Sequence, residues 1–271
     1  MRMLVVDAFT ARPFAGNPAG VCLLQDAADA GWMQRVAAEM KHSETAFVRP
    51  LPDADADYEL RWFTPLVEVA LCGHATLASA HVLYDTGTVD PGRPIRFRTL
   101  GSGVLTVAPA AGGSLSMDFP AVPAAPVEPP EGLAAGLGVP LLWTGRTAQN
   151  DLLVEIADEA TVRSLAVEVA ELARVDVRAV IATAAAESAE GEYDFVSRVF
   201  AVRVLPGDGE DPVTGSAHCT LAPFWAGRLG RTALTGYQAS ERGGHVRTEL
   251  RGDRVVLTGT AVTVLDGTLR I

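Results

Sequence analysis

Apolar and polar residues alternate along most of this chain in short runs, which is the pattern of β-strands. Glycine, proline and asparagine bound these runs and indicate turns between the strands. One such cluster, residues 16–20, is predicted to be a turn. The pattern predicts strands at residues 3–9, 21–24, 46–48, 58–63, 95–99, 104–108, 179–183, 194–204, 255–257 and 261–265.

Four segments have a helical pattern instead. Residues 29–40 place their apolar side chains on one face, and a further helix is predicted around 160–173. Segments 73–84 and 216–229 are apolar nearly all round, which is typical of a helix enclosed by protein on every side. Pro223 is expected to kink the last of these helices, because proline has no backbone N–H to donate.

The two enclosed helices divide the chain into similar halves. They begin at Gly73 and Gly215, which are 142 residues apart (215 − 73) in a chain of 271. Between them, residues 121–130 are rich in proline and alanine and are predicted to link the halves. Strands around one apolar helix in each half indicate an internal duplication. The predicted halves are residues 1–118 plus 260–271 and residues 119–259.

Composition excludes several classes of protein. With 48% hydrophobic residues the chain is not disordered, and no apolar run reaches the roughly 20 residues of a membrane span. The net charge of −11 and the lack of a basic block argue against nucleic acid and membranes as partners.

Cys22, Cys72 and Cys219 lie far apart and form no disulfide framework. Without a signal-peptide pattern, we expect a cytoplasmic protein. Pyridoxal phosphate is not expected, because Lys41 is the single lysine and lacks a phosphate-binding loop.

Glu44 is the first candidate for chemistry. It lies between Ser43 and Thr45 just before a predicted strand. A carboxylate in this place could act as a general base that the two hydroxyls orient. The hexapeptide by itself, however, favours a different interpretation, a glutamate in an exposed loop.

Cys72, Gly73 and His74 form the second candidate group, at the start of an enclosed helix. A thiol at a helix N-terminus has a lowered pKa and can act as a nucleophile or base, although a buried cysteine is more often inert packing. His74 could carry a proton or cap the helix. The N–H groups and partial positive charge of a helix start attract carboxylates, so the helices at Gly73 and Gly215 are candidate anion sites.

Asp211 is the third candidate. It follows a glycine-rich loop and precedes the second enclosed helix. Asp211-Pro212 is also the pattern of a helix N-cap followed by proline, a purely structural role. Metal binding is not expected, because neither Cys72 with His74 nor His218 with Cys219 has the spacing of a usual zinc site.

Three motifs, in this order, resemble the PhzF-like family of phenazine biosynthesis. They are HSETAF at 42–47, FTPLVEVALCGHATLASAHVL at 63–83 and EDPVTGSAHCTLAPFW at 210–225. The resemblance covers nearly the whole chain, including the opening VDAFT and PFAGNPAGV. It implies an α+β fold like that of diaminopimelate epimerase, in which two pseudo-symmetric halves each curl a mostly antiparallel sheet around a central helix. It also implies an active site in the cleft between the halves, no cofactor and a homodimer.

The same resemblance implies roles for residues of this chain. Glu44 matches the family's general acid/base, which moves a proton between carbons of a cyclic, amino-acid-like substrate. His74 and Asp211 match its supporting polar residues. The residues that match carboxylate-binding positions at the helix starts are Gly73, Gly215 and Ser216.

Cys72 leaves a second mechanism open. It matches the first of the two cysteines of diaminopimelate epimerase and proline racemase, whereas the phenazine enzyme itself lacks a thiol there. The second cysteine would fall near Pro212, which has no acid or base, so a symmetric two-thiol racemase is not expected. We predict a cofactor-independent isomerase that moves a proton on a small carboxylate-bearing substrate, with Cys72 in contact with that substrate. The alternatives are a thiol-assisted epimerase or racemase using Cys72, and an inactive small-molecule-binding homologue.

Overall fold

A computed structural model describes residues 1–52, 55–188, 191–205 and 207–270. The chain divides into two compact units, residues 1–118 with 258–271 and residues 119–257. The second boundary thus lies two residues before the one derived from the sequence. Within the described ranges, no helix is both long enough and apolar enough to cross a membrane.

The first unit is a sheet with two helices. Its elements are β1 (Arg2–Ala8), β2 (Asn17–Leu23), α1 (Ala30–Met40), β3 (Glu44–Pro50), β4 (Tyr58–Phe63), β5 (Glu68–Val69), α2 (Gly73–Asp85), β6 (Ile95–Arg98), β7 (Val104–Pro109), a 3-10 turn (Ala111–Gly113), β8 (Leu115–Pro120, which crosses the boundary) and β18 (Ala261–Thr268). Strand β1 pairs antiparallel with β2 and β18, and β3 pairs parallel with β2 and antiparallel with β4. Helix α2 contacts β1, β2, β3, β7 and β18, as expected of an enclosed helix.

The predicted turn at 16–20 is wrong beyond its first residue, because β2 already begins at Asn17. Only Gly16 has the positive φ of a turn residue, at 65°. Gly20 pairs with Val5 on one side and Thr45 on the other. A Cβ at Gly20 would lie 3.1 Å from the Thr45 Oγ1 atom, so this glycine permits close packing of side chains rather than a turn.

The second unit surrounds one long helix with strands. Its elements are β9 (Ala125–Pro126), α3 (Leu133–Leu137), β10 (Trp143–Arg146), β11 (Asp151–Glu155), α4 (Glu159–Arg163), α5 (Val169–Leu172), β12 (Ala179–Ala185), β13 (Phe195–Phe200), β14 (Glu210–Asp211), α6 (Gly215–Leu229), β15 (Ala233–Gln238), β16 (Gly244–Arg251) and β17 (Arg254–Gly259, which crosses the boundary). The segment 121–130, predicted as an irregular linker, contains strand β9, which pairs with β10.

The single helix predicted around 160–173 is wrong, since the structure forms the two short helices α4 and α5 there. Asp158 caps α4 by accepting a hydrogen bond from the Thr161 N–H. The Leu165 carbonyl accepts a hydrogen bond from the Arg198 guanidinium at 2.6 Å. That tertiary contact takes a carbonyl that a continuous helix would use for its own hydrogen bond.

Helix α6 contributes to one hydrophobic cluster of its unit. Its buried face, with Leu221 and Trp225, packs on side chains of β11, β12, β13 and β15. The helix is continuous through Pro223. Proline cannot donate to the Cys219 carbonyl one turn earlier, and the Val122 N–H donates to that carbonyl instead, at 3.0 Å. This replacement partner explains how a proline is accommodated inside the helix.

Candidate functional site

Glu44 is the first residue of β3, and the alternation of side chains along that strand decides where it points. Phe47 packs on helix α1. Because successive side chains of a strand point to opposite faces, Glu44 points to the other face, where α2 lies. Its side chain is 16% exposed, which leaves the carboxylate partly buried but accessible.

The start of α2 supplies the other groups of this cluster. Cys72 is the N-cap residue, has an extended backbone, and makes no capping hydrogen bond with its side chain. The His74 Nε2 atom lies 3.3 Å from the Glu44 Oε2 atom. The His74 Nδ1 atom lies 3.5 Å from the Cys72 Sγ atom. The imidazole therefore stands between a carboxylate and a thiol.

Burial lowers the pKa of His74, and the Glu44 carboxylate only partly opposes this effect. The ring is thus neutral near neutral pH. A neutral ring that donates its Nε2–H to the carboxylate presents Nδ1 to the thiol as an acceptor. The cluster therefore contains a carboxylate with a fixed hydrogen-bond donor and a thiol beside a proton acceptor.

The hydroxyls on either side of Glu44 do not orient it as the sequence suggested. The Ser43 hydroxyl donates to the Asn17 Oδ1 atom at 3.0 Å. Thr45 points to the opposite face, and among the described residues its buried hydroxyl has no hydrogen-bond partner. The structure gives Glu44 a polar partner that is distant in sequence, His74.

In the second unit, Asp211 lies in β14, just before α6. The Asp211 carboxylate accepts a hydrogen bond from the Thr214 hydroxyl. The cap residue of α6 is Thr214, whose side chain makes no capping hydrogen bond to the helix, so the alternative interpretation of Asp211 as an N-cap does not hold. The next two residues, Gly215 and Ser216, begin the helix, with Gly215 buried and Ser216 half-buried.

Gln238 is a part of this second group that the sequence did not reveal. Its side chain is fully buried. The Gln238 Oε1 atom accepts from the Thr214 N–H at 2.8 Å, and its Nε2 donates to the Asp211 carbonyl at 2.6 Å. It also lies 3.2 Å from the Thr214 Oγ1 atom. No sequence pattern indicates that a glutamine at the end of a strand bonds to the start of a helix in this way.

His218 and Cys219 belong to the core of this unit. The His218 Nδ1 atom lies 2.8 Å from the Thr214 carbonyl, and burial lowers the pKa of the ring to about 4. Among the described residues, the set of three side chains whose donor atoms lie close enough to hold a metal ion is Glu44, Cys72 and His74. Among the described residues, no cysteine forms a disulfide bond.

The predicted site residues thus fall into two groups, one in each unit. Glu44, Cys72, Gly73 and His74 lie together in the first, and Asp211, Gly215 and Ser216 in the second. A single cleft lined by both groups stays a prediction of the sequence. In each unit the group lies at the uncapped start of a helix enclosed by strands, a place that suits an anion.

Each unit encloses a helix within strands, and at the start of α2 a carboxylate, an imidazole and a thiol lie together, an arrangement capable of acid–base chemistry. The family model for phenazine biosynthesis-like proteins matches residues 6–267. The chain therefore belongs to the phenazine biosynthesis-like (PhzC-PhzF) family, as the sequence motifs predicted.

Relatives and solved structures agree with this assignment. An uncharacterized isomerase of Halalkalibacterium halodurans is 48% identical over 262 residues, which cover 96% of this chain and 95% of that protein. A PhzF-family crystal structure from Enterococcus faecalis superposes with a TM-score of 0.90 at 36% identity, covering 100% of this chain and 99% of that one. A predicted epimerase of Pseudomonas aeruginosa, at 21% identity and a TM-score of 0.73, covers 99% of this chain and 98% of its own and shares the fold. The predicted fold class and the prediction of an isomerase-type enzyme are confirmed.

Proposed function

We propose that this protein is a cofactor-independent isomerase that moves a proton on a small carboxylate-bearing substrate, either amino-acid-like or cyclic. The observation that carries the proposal is the contact of Glu44 with His74 at the uncapped start of α2. A partly buried carboxylate with a fixed hydrogen-bond donor and access to solvent is suited to general acid–base catalysis.

In the proposed reaction, the Glu44 carboxylate takes a proton from a carbon of the substrate. The electron pair of that C–H bond stays on the substrate as a stabilised carbanion. Glu44, whose carboxylate is accessible enough to exchange that proton with solvent, then returns a proton to a different carbon, so the substrate is isomerised and Glu44 is again ionised. His74 holds the Glu44 carboxylate through its Nε2–H, and Asp211 holds a polar group of the substrate.

The substrate carboxylate is assigned to the helix starts at Gly73 and Gly215. Neither cap side chain, Cys72 or Thr214, bonds to the first turn of its helix. The N–H groups of those turns are therefore not satisfied by their own cap side chains, and the helix dipole favours an anion there. This assignment requires that one ligand contact both units, which is part of the proposal.

A substrate analogue is first needed and can be found by thermal-shift screening of small carboxylates, because a ligand raises the melting temperature by mass action. Exchange of the ligand's carbon-bound hydrogen in D₂O is then followed by NMR. Replacing Glu44 by Gln keeps the size and removes the basicity. We expect the exchange rate to fall by ~10²–10⁴-fold, the usual contribution of a general base.

Glu39→Gln is the matched control, because Glu39 is an exposed carboxylate on α1 of the same unit. It should exchange at the wild-type rate. If Glu44→Gln retains the wild-type rate with bound ligand, Glu44 is not the base and the proposed mechanism fails.

The contact between Cys72 and His74 favours one competing mechanism, a thiol-assisted epimerase. A thiol 3.5 Å from a ring nitrogen that accepts protons can form a thiolate. That mechanism predicts the reverse pattern in the same assay, with Cys72→Ser inactive and Glu44→Gln active. Under the proposed mechanism, Cys72→Ser should retain most of the exchange rate.

A further inference from the structure

Three different donor atoms converge at the start of α2. The carboxylate of Glu44, the thiol of Cys72 and the imidazole of His74 each offer one ligand atom, and all of these atoms lie within 4.8 Å of one another. Carboxylate, thiolate and imidazole are the side chains that bind zinc in proteins. The sequence did not indicate this set, because Glu44 lies on a different element from the other two.

The spacing of these donors is close to what zinc needs. Zinc holds sulfur at about 2.3 Å and nitrogen or oxygen at about 2.0–2.2 Å, so in a tetrahedral site its ligand atoms lie roughly 3.3–3.6 Å apart. The His74 Nε2 atom is 3.3 Å from the Glu44 Oε2 atom and 4.0 Å from the Cys72 Sγ atom. A small rotation of the thiol therefore completes a three-residue site.

The exposure of the three side chains also suits a metal site. Cys72 and His74 are buried, whereas the Glu44 carboxylate is partly accessible. Three protein ligands with one open side are the arrangement of zinc sites that keep a water or small ligand in the fourth position.

We propose that Glu44, Cys72 and His74 bind one Zn²⁺ ion, which acts as an inhibitor rather than as a cofactor. In the zinc complex the Glu44 oxygen is bound to the ion and cannot take a proton. Inhibition, but not binding, rests on the proposed function.

Metal-free protein titrated with Zn²⁺ against a chromophoric chelator tests the binding. We expect wild-type protein to bind one ion per chain. The zinc affinity should be at least about 100-fold lower in Cys72→Ser and in His74→Asn, because loss of a residue that merely supports a ligand already lowers metal affinity by about 10–100-fold. Co²⁺ in place of Zn²⁺ should give a thiolate-to-cobalt absorption band that Cys72→Ser lacks. His245→Asn is the control, because His245 is a surface histidine 4.0 Å from Glu192.

Binding that survives in both Cys72→Ser and His74→Asn, or is lost in His245→Asn, would place the ion elsewhere and overturn the proposal. Wild-type protein gives an independent test if a variant does not fold. Zinc should slow iodoacetamide labelling of Cys72, which is 7% exposed, and leave labelling of Cys22, which is 0% exposed, unchanged, with both followed by mass spectrometry. Equal labelling of Cys72 with and without zinc would also overturn the site.

Binding and function fail in distinguishable ways. The chelator titration needs no substrate, so a zinc site without any hydrogen exchange in the metal-free enzyme would refute the proposed function alone. Undiminished exchange in zinc-loaded enzyme would refute inhibition by zinc. We expect exchange to stop at one zinc per chain and to return on adding a chelator.

Discussion

His218 shows how strongly burial acts on a single residue of this protein. Its ring is completely buried in the second unit, and its pKa is lowered to about 4. Gly236 leaves room for the ring, since a Cβ there would lie 2.9 Å from the His218 Nε2 atom. The histidine is therefore a core residue held neutral, and it bonds to the backbone carbonyl just before α6.

The pKa of His218 predicts a loss of stability in acid. The unfolded chain, with an ordinary histidine pKa of about 6.5, binds more protons than the folded chain between that value and pH about 4. Stability is full above the unfolded pKa and falls as pH is lowered through this window, by up to about 1.4 kcal/mol per pH unit. The melting temperature measured across the window should fall less steeply in His218→Asn, which keeps a donor for the Thr214 carbonyl.

His245→Asn serves as the comparison, because it removes an exposed histidine from the same unit. Its melting temperature should keep the wild-type dependence on pH. If His218→Asn also keeps that dependence, His218 is not the group that takes up the proton.

At the scale of elements, the start of α6 is held by a strand rather than by its own cap. Gln238, the last residue of β15, bonds to Thr214 and to the Asp211 backbone. These bonds fix the segment that carries the Asp211 carboxylate, and none of them is made to the first turn of the helix. The strand thus positions the residues that we assign to the substrate.

Gln238→Met keeps the length of the side chain and removes its three hydrogen bonds, to the Thr214 N–H, the Thr214 hydroxyl and the Asp211 carbonyl. An orphaned buried donor costs about 1–3 kcal/mol, so the variant should melt at a lower temperature. The hydrogen-exchange rate should fall about tenfold or more at saturating ligand, beyond the general effect on stability, because Asp211 loses its position.

Gln149→Met is a suitable control, since Gln149 is an exposed glutamine in the same unit. A Gln238→Met enzyme that is less stable but exchanges hydrogen at the wild-type rate below its melting temperature would show that Gln238 only stabilises the fold.

At the scale of the whole molecule, charge and surface apolarity act in opposite directions on self-association. The chain has a net charge of −11, which repels a second copy. Large apolar side chains are nonetheless exposed, with Leu66 77% and Leu100 72% accessible in the first unit. Exposed apolar groups that gather into patches mark interaction surfaces, and the family resemblance implies a homodimer.

We expect sedimentation equilibrium to show twice the chain mass of 28.4 kDa at micromolar concentration. Because salt screens the repulsion between two chains of −11, the dimer should tighten as sodium chloride rises from ~10 to ~150 mM, where the Debye length falls from about 30 to 8 Å. A monomer at every salt concentration would contradict this expectation, and a dimer that weakens with salt would show that charge pairs hold it.

The accuracy of the bounds predicted from the sequence differs between elements. The bounds of α1, α2 and α6 were predicted to within one or two residues, because an apolar face or an all-apolar helix is a property of consecutive residues. The division into α4 and α5 was not, because it depends on a contact from Arg198 on another strand. The segment that follows Gly16 was misjudged for a similar reason, since Gly20 is set by its neighbours in the sheet.

The sequence by itself determined the family, the fold class and the identity of the polar candidates, since motifs and periodicity are local. Only the tertiary structure decided that Glu44 bonds to His74 rather than to its neighbouring hydroxyls, and that His74 also faces Cys72. Likewise, only the structure assigned Gln238 to the start of α6. Such contacts join residues that are far apart in the chain. Their strength depends on burial, as the lowered pKa of His74 shows, and no sequence pattern encodes how deeply a side chain is buried.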